Sequence, residues 1–209
     1  SFLSAIPNLC IFAPATFASL DRFLHASASA GMPLVIRYPN MTEDARIIDA
    51  FFRADTRETV AHADFTDAAA NRAVIITYGR IATEALDAAE KLRARGVPCG
   101  VILLETLKPY EVVADRVAQL LPADAAAVVF LEEGIRNGGA GMLTFDMLAR
   151  RHEALMANKK TAVVAIDDNF VIPAQKESIR RTAGITANDV LRTAVHLLAA
   201  LPQKNEGNP

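Results

Sequence analysis

A chain of 209 residues with 52% apolar side chains and a mean hydropathy of +0.20 can bury a full core, as one large domain or two small ones. Its formal charge of −2 and pI near 6.1 leave no basic excess to neutralise nucleic-acid phosphates. No apolar run approaches the roughly 20 residues that span a bilayer, so neither nucleic acid nor membrane is an expected partner.

The opening Ser1-Phe2-Leu3-Ser4-Ala5-Ile6-Pro7 has no initiator Met and no charged or long apolar signal region, which predicts a piece of a longer protein. Asn8 to Ala13 is a short apolar run closed by Pro14. Thr16 can cap a helix through Ala30, and Gly31 stops it before a strand over Pro33 to Tyr38. Such a βαβ unit places two parallel strands in one sheet. A unit that small cannot cover both faces of its sheet, so it should be the remnant of a larger domain or dock on a partner. From Asn40 to Arg72 the pattern loosens into a stretch with seven acidic and four Arg residues, read as a linker with a short helix around Ala45 to Phe52 and an edge strand around Glu58 to Phe65.

The remainder alternates strand and helix. Ala73 to Tyr78 is a strand broken by Gly79, and Ile81, Ala85, Ala88 and Leu92 mark one face of a helix ending at Gly96. Val97 to Leu104 is the next strand, and Pro109 opens a helix that Pro122 closes. Ala126 to Leu131 is a third strand, Met142 to Met156 a helix and Thr161 to Ile166 a fourth strand. Helices follow at Pro173 to Thr182 and Ala187 to Leu201, and the tail from Gln203 is polar. The expected fold is a three-layer α/β/α arrangement around a mostly parallel sheet, preceded by the βαβ remnant. The implied boundaries are 1–40 for the remnant, 41–72 for the linker and edge strand, 73–203 for the second domain and 204–209 for a disordered tail. Cys10 and Cys99 both lie in apolar strand-like runs, as buried thiols of a reducing cytoplasm do.

Phe130 to Gly141 leads from a strand through Glu132 and Glu133 into a turn with Gly134, Gly138, Gly139 and Gly141. As a phosphate cradle it fails, because G-x-G-x-x-G is incomplete, no Lys-Ser or Lys-Thr follows, and the carboxylates would repel a pyrophosphate. Adjacent strand residues point to opposite faces, so at most one of Glu132 and Glu133 can face a given cleft. A structural turn or subunit contact, with a carboxylate capping a helix or pairing with Arg136, is the favoured reading of Glu132, Glu133, Gly138, Gly139 and Gly141. His25, His62, His152 and His196 show no metal-ligand spacing, and no nucleophile stands in a catalytic motif. Arg37 and Tyr38 stand at the carboxyl end of a parallel strand, where open α/β sheets place ligand crevices, and an Arg there can grip a phosphate or carboxylate bidentately.

Phe2 to Pro14 followed by Pro33-Leu34-Val35-Ile36-Arg37-Tyr38-Pro39 resembles the end of the pyrimidine-binding domain of deoxyxylulose-phosphate synthases. Ile76-Thr77-Tyr78-Gly79, Glu84 to Leu92, Gly96-Val97 and Leu104-Glu105-Thr106-Leu107-Lys108-Pro109 are similar to the opening of a transketolase C-terminal domain. Glu132-Glu133-Gly134, Gly138 to Gly141, Ile166-Asp167-Asp168, Phe170 and Ile172-Pro173 continue it in order. The resemblance implies a parent transferase that uses thiamin diphosphate and Mg²⁺ to join a two-carbon unit from pyruvate to glyceraldehyde 3-phosphate in isoprenoid precursor synthesis. It implies a homodimer, with the cofactor held by upstream domains, none bound to this chain, and no activity of the chain alone. Arg37 and Tyr38 become substrate-binding candidates. The family's usual R-Y-P-R-G reads Arg37-Tyr38-Pro39-Asn40-Met41 here, which leaves the acceptor open. The alternatives are a synthase-like transketolase with another acceptor, the β-subunit of a 2-oxoacid dehydrogenase, and a non-catalytic dimerisation or regulatory module.

Overall fold

In a computed structural model of the chain, the residues described are 2–38, 42–53, 58–65, 71–171 and 175–200. Pro39, Asn40 and Met41, the expected helix start at Pro173, and the tail 204–209 lie outside them. The elements in chain order are β1 (Cys10–Phe12), α1 (Phe17–Ser27), β2 (Leu34–Ile36), α2 (Ala45–Phe51), β3 (Ala61–Asp64), β4 (Ala73–Tyr78), α3 (Ala82–Arg93) and β5 (Cys99–Leu104). There follow β6 (Thr106–Lys108), α4 (Tyr110–Leu120), β7 (Ala127–Ile135), α5 (Ala140–Arg151), α6 (Glu153–Met156), β8 (Lys160–Ile166), α7 (Lys176–Thr182) and α8 (Ala187–Ala199). Among the described residues, no helix is long and apolar enough to cross a membrane.

The first unit is the expected βαβ crossover, with β1 parallel to β2. Thr16 holds an extended backbone and its hydroxyl accepts the Ser19 amide at 3.1 Å, capping α1. The helix ends three residues short of Ala30 because the Ser27 and Ser29 hydroxyls donate to the Leu24 and Ala26 carbonyls and compete with a continuing helical turn. The sequence reading missed β6, which pairs antiparallel with β1 and makes a three-stranded sheet in the order β2-β1-β6. With only three residues, Thr106–Lys108 carries no periodicity of its own, and its pairing is tertiary.

The second sheet has five strands in the order β3-β5-β4-β7-β8, parallel except for β3 at one edge. Strand alternation sends Ile75, Val101, Val129 and Leu131 to one face, against α2, α3 and α8. It sends Val74, Ile76, Ile102 and Phe130 to the other, against α4 and α5. Helices on both faces give the three-layer arrangement, and each fully buried Leu or Ile in it stabilises by about 1.5–3 kcal/mol. Lys159 closes the base of the sheet, its buried ammonium donating to the carbonyls of Pro122, Ala123 and Ala125 at 3.1, 2.8 and 2.9 Å.

Two further boundaries are set by contacts with other elements. The helix read as Met142 to Met156 breaks at His152, which leaves helical geometry (φ −131, ψ 45) and places its Nε2 2.8 Å from an Asp115 carboxylate oxygen on α4. Strand β7 runs on past Leu131, because Ile135 pairs with Ile166 beyond a bulge and the Arg136 amide donates to the Ile166 carbonyl.

The two sheets meet at Glu105, between β5 and β6. Its side chain has no exposure and takes Nη2 of Arg22 on α1 at 2.7 Å and Nε2 of His62 on β3 at 3.1 Å. Replacing Glu105 with Leu leaves Arg22 and His62 without their acceptor. We expect a loss of about 3 kcal/mol in urea unfolding, the range for breaking one partner of a buried pair, and an unchanged stability would show that this contact does not join the units.

Candidate functional site

The carboxyl ends of β2, β4 and β7 converge on a cleft of about 540 Å³, walled by Leu3, Ile11, Val35 and Leu107 with Arg37, Tyr78, Tyr110, Glu132, Glu133 and Gly138 to Ala140 at its polar side. This is where a parallel sheet leaves a crevice. The topology therefore brings Arg37 together with Glu132, Glu133, Gly138 and Gly139, which the sequence had kept as two separate features. Tyr38 points elsewhere. It is 63% exposed and lines a narrower pocket with Thr16, Glu43 and Arg80.

Glu132 and Glu133 separate to opposite sides, as strand geometry requires. Glu132 is 1% exposed. One of its oxygens accepts the Gly141 amide at 3.1 Å, and the other accepts the Ala140 amide at 3.0 Å and the Tyr78 hydroxyl at 3.2 Å. It thus caps α5 from outside the helix and satisfies two of its orphan amides. This carboxylate also explains why α5 starts at Ala140, ahead of the apolar pattern. Burial pushes the Glu132 carboxyl up from its ordinary 4.5, against the opposing pull of those amides and the phenol. Glu133 pairs with Arg180 at 2.8 Å, and Arg180 also reaches Glu84, whose carboxylate accepts the Ala187 amide at the start of α8. Arg136 pairs with neither glutamate; it binds Asp167 at 3.0 Å.

The glycines create room for this arrangement. A Cβ on Gly139 would lie 2.5 Å from a Glu132 carboxylate oxygen and 2.5 Å from the Ile135 carbonyl oxygen, closer than any side chain tolerates. Gly138 holds φ +69 in the turn, and Gly141 presses its backbone against the Phe130 ring.

Arg37 follows β2, its backbone amide bonded to the Phe12 carbonyl at 2.8 Å. Its guanidinium lies over the Tyr78 ring, 5.2 Å from the centroid, and its Nη2 approaches the Glu133 carbonyl at 3.5 Å. Gly79, at φ +65, keeps the space beside Nη1 open. The side chain is exposed, and among the described residues no carboxylate forms an ion pair with it. The missed members of the site are Tyr78 and Tyr110, since an aromatic at a strand end or a helix start reads as core until the topology sets it beside a charge.

A diphosphate and its metal do not fit the described residues. No three of their His, Cys, Asp and Glu side chains cluster to hold a metal ion. The amides of Ala140 and Gly141 that could receive a phosphate already serve Glu132.

Residues 63–190 match the model for the transketolase C-terminal domain. Over 206 residues the chain is 29% identical to 1-deoxy-D-xylulose-5-phosphate synthase of Rhodobacter capsulatus, covering 98% of this chain and 30% of that protein. Over 199 residues it is 29% identical to the synthase of the same name from Anaeromyxobacter sp. (strain K), covering 91% of this chain and 29% of that one. The chain thus spans under a third of the length of these relatives. Among solved structures, one described as a split gene transketolase, inactive beta4 tetramer, aligns with a TM-score of 0.68 at 24% identity, covering 93% of this chain and 59% of its own. The transketolase from Leishmania mexicana aligns with a TM-score of 0.62 at 20% identity, covering 96% of this chain and 27% of its own.

Two outcomes follow from the cap. Gly139→Val forces apart Glu132 and the Ile135 carbonyl, and thermal unfolding should register a loss of about 2 kcal/mol or more; an unchanged Tm would contradict the contact. The folded protein holds the Glu132 proton more tightly than the unfolded chain does. That contribution to stability is therefore full below pH 4.5 and is lost as the pH rises through the folded value. Urea titrations from below pH 4.5 upward should show this slope in the wild type and its absence in Glu132→Gln.

Proposed function

We propose, for a chain that belongs to the transketolase C-terminal domain family, that it is the C-terminal part of a thiamin-diphosphate-dependent transferase of the deoxyxylulose-phosphate synthase branch. The observation that carries this reading is the alignment with proteins of that name along nearly the whole chain, the first βαβ unit included. The parent enzyme joins the two-carbon unit of pyruvate to glyceraldehyde 3-phosphate with loss of CO₂. Thiamin diphosphate supplies the electron sink when bound, and it and Mg²⁺ are held by upstream domains, so that this chain alone is inactive. The enzyme works as a homodimer in the cytoplasm.

Within that reading, Arg37 meets the anionic group of a substrate in the cleft, and Tyr38, the next residue, contributes to substrate binding from the narrower pocket that it lines. Three features support the role of Arg37: its exposure, its place at the carboxyl end of a parallel strand, and its freedom from an ion pair among the described residues. The apolar walls of Leu3, Ile11, Val35 and Leu107 lower the polarity on one side of Arg37, which strengthens a charge-assisted bond made there. Asn40 stands where the family usually has a second Arg, and among the described residues that line the cleft Arg37 is the cation.

The test is turnover of pyruvate and glyceraldehyde 3-phosphate, with added thiamin diphosphate and Mg²⁺, by the enzyme that contains this chain together with its upstream domains. In that enzyme Arg37→Ala should raise the acceptor KM by about tenfold or more, the worth of one charge-assisted hydrogen bond, and leave the pyruvate KM nearly unchanged. Equal effects on both would remove Arg37 from the acceptor site, and absence of turnover by the wild type would overturn the assignment of the branch.

A further inference from the structure

Arg37 is exposed, yet its guanidinium is not loose. It rests on the face of Tyr78, a side chain only 5% exposed. That ring is itself fixed at both ends. Its backbone belongs to β4, the central strand between β5 and β7, and its hydroxyl donates to Glu132 at 3.2 Å. Glu132 is in turn held by the first two amides of α5. Burial first, and then the Glu132 charge, raises the Tyr78 phenol, which keeps its proton available for that bond. A chain of contacts therefore runs from the N-terminus of α5 through a buried carboxylate and a buried ring to the one cation on the cleft wall that no carboxylate pairs among the described residues.

A flexible Arg loses rotamer freedom when it grips an anion, and a guanidinium already held in place loses less. An aromatic face can hold it without cost to binding, because the ring attracts the cation and does not compete for the N–H donors that an anion needs. A carboxylate in the same place would consume those donors. The charged and titratable groups near Tyr78 and Glu132 are Arg37 after β2, Tyr110 on α4 and Glu133, whose side chain leaves β7 on the other side and is engaged by Arg180.

We propose that Tyr78, locked by Glu132, is a positioning residue that holds Arg37 in readiness for an anionic ligand group, a phosphate or a carboxylate. This rests on the reading of Arg37 as an anion-binding residue.

The experiment is a titration of the purified chain with inorganic phosphate, followed by NMR at the Arg37 Nε–Hε group and, in every variant including Arg37→Ala, at the backbone amides of Gly138 and Gly139 in the same cleft. Before any ligand is added, the Arg37 resonances of the wild type should be displaced upfield by the Tyr78 ring current. Tyr78→Phe keeps the ring and should keep most of that displacement. Tyr78→Leu abolishes it and should weaken phosphate binding about tenfold. Glu132→Gln, which keeps the Tyr78 ring and alters both its anchor and the cap of α5, should reduce the displacement and weaken binding less. Arg37→Ala should remove the phosphate response. Because Tyr78→Leu alters a buried position, the Tyr78→Phe and Glu132→Gln variants carry the test if it fails to fold. Absence of a ring-current displacement in the wild type would overturn the positioning role. So would phosphate binding that is unchanged in Tyr78→Leu, or in both Tyr78→Phe and Glu132→Gln, while Arg37→Ala abolishes it; in that case Arg37 would keep its anion-binding role. A wild type that gives no phosphate response, or an Arg37→Ala variant that binds as well as wild type, would overturn the anion-binding reading itself.

Discussion

One buried carboxylate organises the functional end of this molecule. Glu132 sits where β4, β7 and α5 meet, and it is stable there only because every nearby donor is turned towards it: two helix amides and a phenol. An ionised group out of water costs several kcal/mol without such partners. The surroundings are shaped accordingly, with a glycine at the helix start that leaves room for the carboxylate, a strand that bulges just beyond it and a tyrosine whose hydroxyl reaches back. The cap also fills the helix terminus that a phosphate would otherwise occupy. Arg37 stands on the opposite wall of the cleft, where no carboxylate pairs with it among the described residues.

A second charge cluster works at the seam between the sheets. Glu105 is fully enclosed and answers to Arg22 from α1 and His62 from β3, so each unit supplies a cation or ring to a carboxylate rooted in the connection between β5 and β6. Neither buried glutamate finds its partners within its own element: Glu132 is held by the following helix and by Tyr78 of β4, and one oxygen of Glu105 by α1 and β3. In this way buried polar groups make one packing arrangement preferable to its near alternatives.

Much of the fold was readable from residue order. Apolar strands such as Ala73–Tyr78 appear as read, because a strand buried on both faces is a continuous apolar run. Thr16 marks a helix start through its side-chain cap and Pro109 through its fixed φ before the first helical turn, both of which the sequence carries directly. What was not legible depended on contacts between distant residues. The break at His152 is set by Asp115 on another helix, the strand at Thr106–Lys108 by its pairing with β1, and the early start of α5 by Glu132. The cleft follows the same division. Arg37 and the Glu132 to Gly141 turn were each visible as candidates, but no spacing rule joins positions so far apart. Tyr78, the residue between them, looks in the sequence like the last apolar residue of a strand.

The short strand Thr106–Lys108 carries a mechanical consequence. Its chain leaves the five-stranded sheet at Leu104 and, with only Glu105 between, enters the other sheet beside β1 at Thr106. The amino-terminal unit is thus hemmed by a ribbon belonging to its neighbour, and the Lys108 ammonium extends the seam by donating to the carbonyls of Ser4 and Ile6. To separate the halves, the molecule would have to unzip a strand and expose an apolar wall in the same step. A hinge at this junction is therefore costly, and a push delivered to either half is passed rigidly to the other.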